Sequence, residues 1–546
     1  MKLDDRIEIF KKALQENESL KVRKFCSFNR EFALLFLEEF ADFDIISKDI
    51  IKPILTSKKK FKNESTKNKS QILSSDGNNY IKSDEINKDK KEGANFKSNE
   101  KNKDKKNQKS NEDKEDKQKN EDEKNGEFPN FIAKEILYSG EINLSSDYNE
   151  MYKKLARGEK VLIIENEEVC ILINAKKLEK RAIVEPPNNN VVRGPREGFI
   201  EDINTNINLI RKRLVTTDLK VESMEIGRYT KSKVALCYLT KIANNKIVKK
   251  IKKRLEEIDI DGIIDSYYLQ DYLEEKPNSI FKQIGFTEKP DILAAKMLEG
   301  RVGIIVDGSP VALTIPFLLV EDLQSSEDYY TENNKVTFIR LLRIIGVIIS
   351  ITVPGLYIAL QLYHYKALPL KFLVTLINSS QNIPMPPALE VFFAFFMFEI
   401  LYEASVRTPK SLGSSFNIIG ALILGDTAIK SNLASAPTIM IVALSSIAIY
   451  LIPESTNVVR LLRIGITLMG AIIGIVGIVI GLIFVVGYLA DFDSYGADYL
   501  SPIAPYKKSD FKDFFFKGNI KNMKKRPEAF MQKNITRQVN KNDNEK

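Results

Sequence analysis

Residues 464–490 read IGITLMGAIIGIVGIVIGLIFVVGYLA, 27 positions without a charge. At about 1.5 Å of rise per residue, a single helix over this run would be roughly 40 Å long, more than the ~30 Å hydrocarbon core of a bilayer. Uncharged runs at 344–365 and 431–453 precede it, each about the length of one crossing. A soluble helix of that length keeps a polar face, and these runs have none. The chain therefore reads as an integral membrane protein, with everything before residue 331 as its soluble attachment.

Composition divides the chain the same way. Of the 546 residues, 43% are hydrophobic and 28% charged, and the charges lie mostly before residue 338. Length allows two to four domains. A net charge of +9 would suit nucleic acid, but much of it sits in a low-complexity tract and in a basic tail beside the membrane. Membrane lipid is the more economical partner, and no nucleic acid is expected. Cys26, Cys170 and Cys237 are odd in number and far apart. They suggest neither a metal site nor a disulfide framework, and they fit a reducing compartment. With His364 the single histidine, His-based catalysis and a multi-His metal site are nearly excluded. The start, MKLDDRIEIFKKAL, shows no apolar signal region, so the soluble half is expected to stay cytoplasmic.

Six segments follow. Residues 1–54 read as a small helical segment. Residues 55–128 read as a disordered charged linker, since 57–127 hold only eight apolar residues in 71. Residues 129–190 and 191–330 read as two small α/β subdomains. Apolar runs at 161–165 and 168–174 suggest a hairpin; strand-like 234–239 and 302–306 alternate with helical 247–258 and 291–298. Residues 331–490 form the transmembrane region, and 491–546 a basic tail. The fold class is thus multi-domain, a cytosolic α/β region of two subdomains followed by an all-α polytopic transmembrane domain. RLLRI occurs at 340–344 before the first span and again at 460–464 before the last. Paired arginines mark cytoplasmic ends, which would run both spans the same way and leave the tail outside; the basic tail argues the reverse. Four spans and five stay open, as does whether one of them is re-entrant.

Candidate sites are weak singly. Asp307, Gly308 and Pro310 form a turn between apolar strands, and Glu327 and Asp328 lead into the membrane; together they read as a hinge between soluble part and bilayer. Arg193, Gly194, Pro195, Arg196 and Glu197 form a Gly- and Arg-bearing loop before a helix. Its spacing fits no phosphate-binding fingerprint, so a clamp between subdomains is the better reading. Pro354 interrupts the first span, with Ser350 placed to re-satisfy its backbone. Glu390, Glu399 and Glu403 lie in a phenylalanine-rich run, with Arg407 next. Glu399, Glu403 and Arg407 are spaced i, i+4, i+8 on one helix face, and carboxylates at membrane depth are costly. They read either as an ion path or as an ion pair that holds the bundle. Residues 411–425 suit a half-helix. Gly470, Gly474, Gly477 and Gly481 recur on one face of the last span, where small residues let helices approach. No catalytic, cofactor or metal constellation is visible.

Several motifs then fall in order across 131–517. They are EP at 185–186, VRGPREGFIEDINTNINLIRKR at 192–213, VDGSPVALTIPFLLVEDLQSSEDYY at 306–330, RLLR, and PGLYIAL at 354–360. LPL at 368–370, FEILYEASVRTPKSLG at 398–413, GALILGD at 420–426 and SYGADYLSPIAP at 494–505 complete the set. The ordered set resembles the A subunits of GerA-type spore germination receptors. The charged tract at 57–127 is outside that pattern, and Asn189 stands where the family usually has Glu. The resemblance implies a non-enzymatic subunit in the inner membrane of a bacterial endospore, its soluble half toward the spore core. It implies a transporter-like B subunit and a lipoprotein C subunit as partners, homo-oligomerisation, and a nutrient-gated cation channel. A subunit of a small-metabolite transporter is the alternative.

Overall fold

The computed structural model describes residues 2–14, 17–57, 127–137, 141–175, 193–407 and 425–538. The linker tract over 58–126, the EP pair, Asn189 and the short element expected at 411–424 lie outside these. The chain forms two compact units, Met1–Leu178 and Glu179–Lys546.

The first unit carries α1 (Leu3–Ala13), β1 (Leu20–Ser27), β2 (Arg30–Leu37), β3 (Ile142–Ser145), α2 (Tyr148–Ala156), β4 (Lys160–Ile164) and β5 (Cys170–Ile173). The five strands form one antiparallel sheet in the order β1-β2-β4-β5-β3. The helical segment expected over 1–54 is therefore corrected: only its ends are helical, and its middle supplies two strands. The cause lies in residues 32–37, all buried. Phe32, Leu34 and Phe36 pack under helical turns at 46–54 and 128–136, while Ala33, Leu35 and Leu37 pack against α1 and α2. A strand covered on both faces loses its polar alternation and reads like a helix core.

The second unit repeats the plan. It holds α3 (Ile203–Arg213), β6 (Leu219–Ile226), β7 (Ser232–Leu239), α4 (Asn245–Glu256), α5 (Ser266–Leu273), β8 (Gly285–Thr287), α6 (Pro290–Leu298), β9 (Val302–Val306) and β10 (Ala312–Ile315). The sheet order β6-β7-β9-β10-β8 is that of the first sheet, strand for strand. Again alternate residues divide: Val234, Leu236 and Ile304 face α4 and α5, and Ala235, Cys237 and Ile305 face α3 and α6. In both units the helix before the first strand grips the turn of the central hairpin. Arg6 donates to the carbonyls of Glu167 and Glu168, the latter at 2.9 Å. Asp307 accepts from the Ile203 N–H at 3.2 Å.

The helical region follows with α7 (Asn333–Leu362), α8 (Leu370–Ser380), α9 (Pro387–Arg407), α10 (Ala436–Ile449), α11 (Thr456–Ile473) and α12 (Ile475–Ala490). Among the described residues, two helices are long and apolar enough to cross a membrane, Asn333–Leu362 and Pro453–Ile473. The 27-residue run is not one helix, which corrects the expectation of a single last span. Gly474 adopts φ +73°, a left-handed conformation that ends α11 and starts α12. Gly477 then lies against Met469 and Gly481 against Ile466, so α12 doubles back along α11.

This reversal fixes the course of the chain. Contacts of α7 with α11 advance together, Gly355 beside Ile466 and Thr467, and the Tyr363 hydroxyl bonding Ala471 and Ile472 carbonyls at 2.9 and 2.8 Å. The two arginine-bearing helices thus run parallel from the sheet outward, and α12 returns to the sheet. The tail is not a free basic extension either. Tyr495 joins the core under α4, Ser494 donates to the Gln283 carbonyl at 2.8 Å, and Lys533 N–H reaches the Ile242 carbonyl at 2.8 Å.

Candidate functional site

Two layers of polar groups stand out, one where the sheet meets the helices and one inside the bundle. At the junction, short helical turns Leu319–Leu323 and Ser326–Tyr330 carry acids inward. Asp328 is 2% exposed; it accepts from Arg340 at 3.0 Å and from Arg343 at 2.9 and 3.0 Å. Arg340, fully buried, also reaches the Asp513 carboxylate at 2.9 Å and its carbonyl at 2.8 Å. Beside this network, Asp322 pairs with Lys282 at 3.2 Å and accepts from Ser455 at the start of α11. Burial raises the Asp322 carboxyl above its ordinary value despite Lys282. Burial also pushes at Glu321, but Arg301 and Lys296 outweigh it and hold that carboxyl low. Buried charges persist only when paired and hydrogen-bonded, so these acids pin α7 and α11 to the sheet.

The residues read as a hinge are not brought together. Glu327 and Asp328 lie at the junction. Asp307, Gly308 and Pro310 occupy the β9–β10 turn, where Gly308 N–H bonds the Glu201 carbonyl at 2.8 Å and holds the start of α3. The Arg193–Glu197 loop closes on its own unit. Gly194 (φ +125°) leaves room for the Tyr330 ring, and Glu197 bridges Lys212 and Arg213 at 2.7 and 2.6 Å. Burial works against the Glu197 carboxylate, but those two cations hold it below its ordinary range.

Inside the bundle the four charges of α9 separate. Glu390 is 1% exposed and accepts from the Ser435 N–H that opens α10. Ser435 continues to Thr438 at 2.9 Å, and Thr438 to the Tyr357 hydroxyl at 3.1 Å. Half a helix circumference away, Glu399 pairs with Arg460 at 3.0 Å, whose guanidinium lies 3.7 Å from the Tyr402 ring centre. Glu403 and Arg407 pair on the exposed side at 2.6 Å. The shared face of Glu399, Glu403 and Arg407 therefore does not act as one triad.

Pro354 finds a different remedy from the one expected. The carbonyl that its missing N–H orphans is that of Ser350, and the Ser445 hydroxyl from α10 donates to it at 3.0 Å. Ser445→Ala should leave that carbonyl unsatisfied, at a cost of about 1–3 kcal/mol. Thermal melting of the detergent-solubilised chain measures this, and an unchanged melting temperature would refute it.

Further polar atoms have no partner among the described residues: Ser350 Oγ, Gln361 Nε2, Arg463 Nε and Thr467 Oγ1, all buried. Sequence reasoning missed Tyr357, Ser435, Thr438 and Ser445. Only the orphaned carbonyl signalled that some donor had to exist. The glycines divide as well: Gly470 meets Gly355 of α7, Gly474 makes the reversal, and Gly477 and Gly481 pack α12 on α11. Among the described residues no group of His, Cys, Asp or Glu is placed to hold a metal ion.

The family profile described as Bacillus/Clostridium GerA spore germination protein matches residues 95–529. Spore germination protein KA of Bacillus subtilis (strain 168) is 33% identical over 409 residues, covering 74% of this chain and 75% of that protein. An uncharacterized membrane protein of the same organism, YfkQ, is 34% identical over 395 residues, covering 72% and 77%. A crystal structure of the N-terminal domain of the A subunit of the Bacillus megaterium spore germinant receptor GerK3 matches at 24% identity. It covers 57% of this chain and 93% of that one, with a TM-score of 0.35. The profile takes in both the junction and the bundle, and the chain belongs to the GerA spore germination protein family.

Proposed function

We infer that this chain is the A subunit of a nutrient germinant receptor in the spore inner membrane. In this reading the helices cross the bilayer several times, with the α/β units and the tail on the spore-core side. Copies assemble with one another, with a transporter-like B subunit and with a lipoprotein C subunit, and nutrient opens a cation path. The subunit carries out no catalysis. The observation that supports this most is Glu390, a carboxylate 1% exposed within an apolar helical bundle and held by the start of α10. Acids at such depth are expensive and normally serve a polar path. A pore would widen there by drawing α10 away from the carboxylate.

The test compares three glutamines in spores carrying equal amounts of the chain. Glu390→Gln should slow nutrient-triggered cation release by about tenfold, one buried charged contact being worth about 1.4 kcal/mol or more, and Glu399→Gln, whose carboxylate is half-exposed, by about threefold. Glu403→Gln, which loses only an exposed pair, should change it less than about twofold. Wild-type release from all three variants would defeat the ion-path assignment.

A further inference from the structure

The two RLLRI segments offer a comparison within one molecule. They open parallel helices, α7 and α11, at the same end of the bundle, yet their charges are balanced differently. Arg340 and Arg343 meet two carboxylates, Asp328 and Asp513. Arg460 and Arg463 meet one, Glu399, which is spent on Arg460. Arg463 is 2% exposed. It donates to the Ser446 hydroxyl at 2.9 Å, reaches the Ser445 hydroxyl at 3.5 Å and lies 4.4 Å from the Phe395 ring centre, while its Nε has no partner among the described residues. Residues 408–424, which follow α9, contain no aspartate or glutamate that could neutralise it. A buried guanidinium with no carboxylate of its own among the described residues is costly, so the site favours a further anion.

The space for that anion is present. Arg460 and Arg463 line a cavity of about 160 Å³ with Glu399, Tyr402, Ser446 and Tyr450. The two tyrosine rings are stacked at 5.8 Å. Just outside, Ile400, Ile447 and Leu461 are exposed on the surface of the bundle. Arg463 lies seven residues into α11, about 10 Å along its axis from the end that touches the sheet. That depth, the aromatic rim and the apolar surroundings match the level where phospholipid phosphates meet acyl chains.

We propose that this cavity binds the phosphate of an anionic phospholipid, with Arg463 and Arg460 as its donors and the acyl chains along Ile400, Ile447 and Leu461. Basic pockets between helices take such headgroups, because a phosphate accepts several guanidinium hydrogen bonds while its chains remain in the bilayer. The site rests on the bilayer placement of the helices proposed above. It makes the α9–α10–α11 contact dependent on leaflet composition.

The test uses the full-length chain purified in mild detergent from a membrane containing phosphatidylglycerol, with bound phospholipid counted by mass spectrometry. Arg463→Gln should reduce retained phosphatidylglycerol about fivefold, the effect of one basic residue at a membrane surface. Ser446→Asp supplies a carboxylate next to Arg463; it should lower retention equally while the protein keeps its melting temperature. In nanodiscs, the wild type should melt higher with phosphatidylglycerol than with phosphatidylcholine alone, and Ser446→Asp should not respond. Wild-type retention by both variants would overturn the site. The same rise from inorganic phosphate in phosphatidylcholine nanodiscs would overturn the lipid as its source. A chain recovered in the soluble fraction would defeat the membrane placement instead.

Discussion

Arg340→Gln is expected to remove about 3–5 kcal/mol of stability, because it deletes one partner of a fully buried charge network. Arg340 is wholly enclosed, and its guanidinium joins Asp328 of the junction to Asp513 and Phe514 of the tail. Without it Asp328 keeps Arg343 and the Ser325 N–H, and the Asp513 carboxylate keeps the Tyr329 hydroxyl but, among the described residues, no paired cation. The tail should then detach from the start of α7. Melting of the detergent-solubilised chain reads the loss, and limited proteolysis should release the part beyond residue 491 first. Arg407→Gln is the control: its pair with Glu403 is exposed and worth at most about 1 kcal/mol. If Arg340→Gln melted like Arg407→Gln, the network would be ornamental to the fold. Replacing Asp328, Arg340, Arg343 and Asp513 together by apolar residues should recover part of the loss, since none of the network's charges then loses its partner.

Gly470→Leu should be the second large loss. A Cβ at Gly470 would stand 2.8 Å from the Gly355 carbonyl oxygen and 3.1 Å from its Cα, so the obstacle is backbone. Helices α7 and α11 would have to part along their closest crossing, with an overpacking cost of about 1–3 kcal/mol or more. Gly465 lies in the same helix with open space around it. Gly465→Ala should therefore be neutral or stabilising by up to about 1 kcal/mol. A Gly470→Leu variant as stable as Gly465→Ala would show that the two helices do not depend on this contact.

Legibility in the sequence followed local physics. Strands β7 and β9, helices α4 and α6, and the β4–β5 hairpin were readable because each has its own periodicity and turn residues. Strand β2 was not, because burial on both faces removed the alternation that marks a strand. The 27-residue apolar run could not show its own reversal. A glycine at φ +73° and a glycine in a helix are the same letter, and five other glycines surround Gly474 within the run. At the candidate sites, the chain shows which residues are costly to bury but not which partners receive them. Glu399, Glu403 and Arg407 looked like one face of α9, whereas Arg460 of α11 takes Glu399 and leaves Glu403 and Arg407 to pair on the exposed side. The arginine echo was visible as a repeat; its unequal counter-charges needed three dimensions.

The insertion of Tyr495 into the core beneath α4 has a consequence for biosynthesis. The second sheet is complete by Ile315, yet the aromatic ring that fills its face is made only after every apolar helix. A ribosome delivers segments in order, and domains ordinarily close as they emerge. Under the membrane placement proposed above, closure waits for the translocation machinery to finish with α12. Insertion would then be reported back to the second sheet as the arrival of Tyr495, and a chain that stalled earlier would expose that gap to proteases.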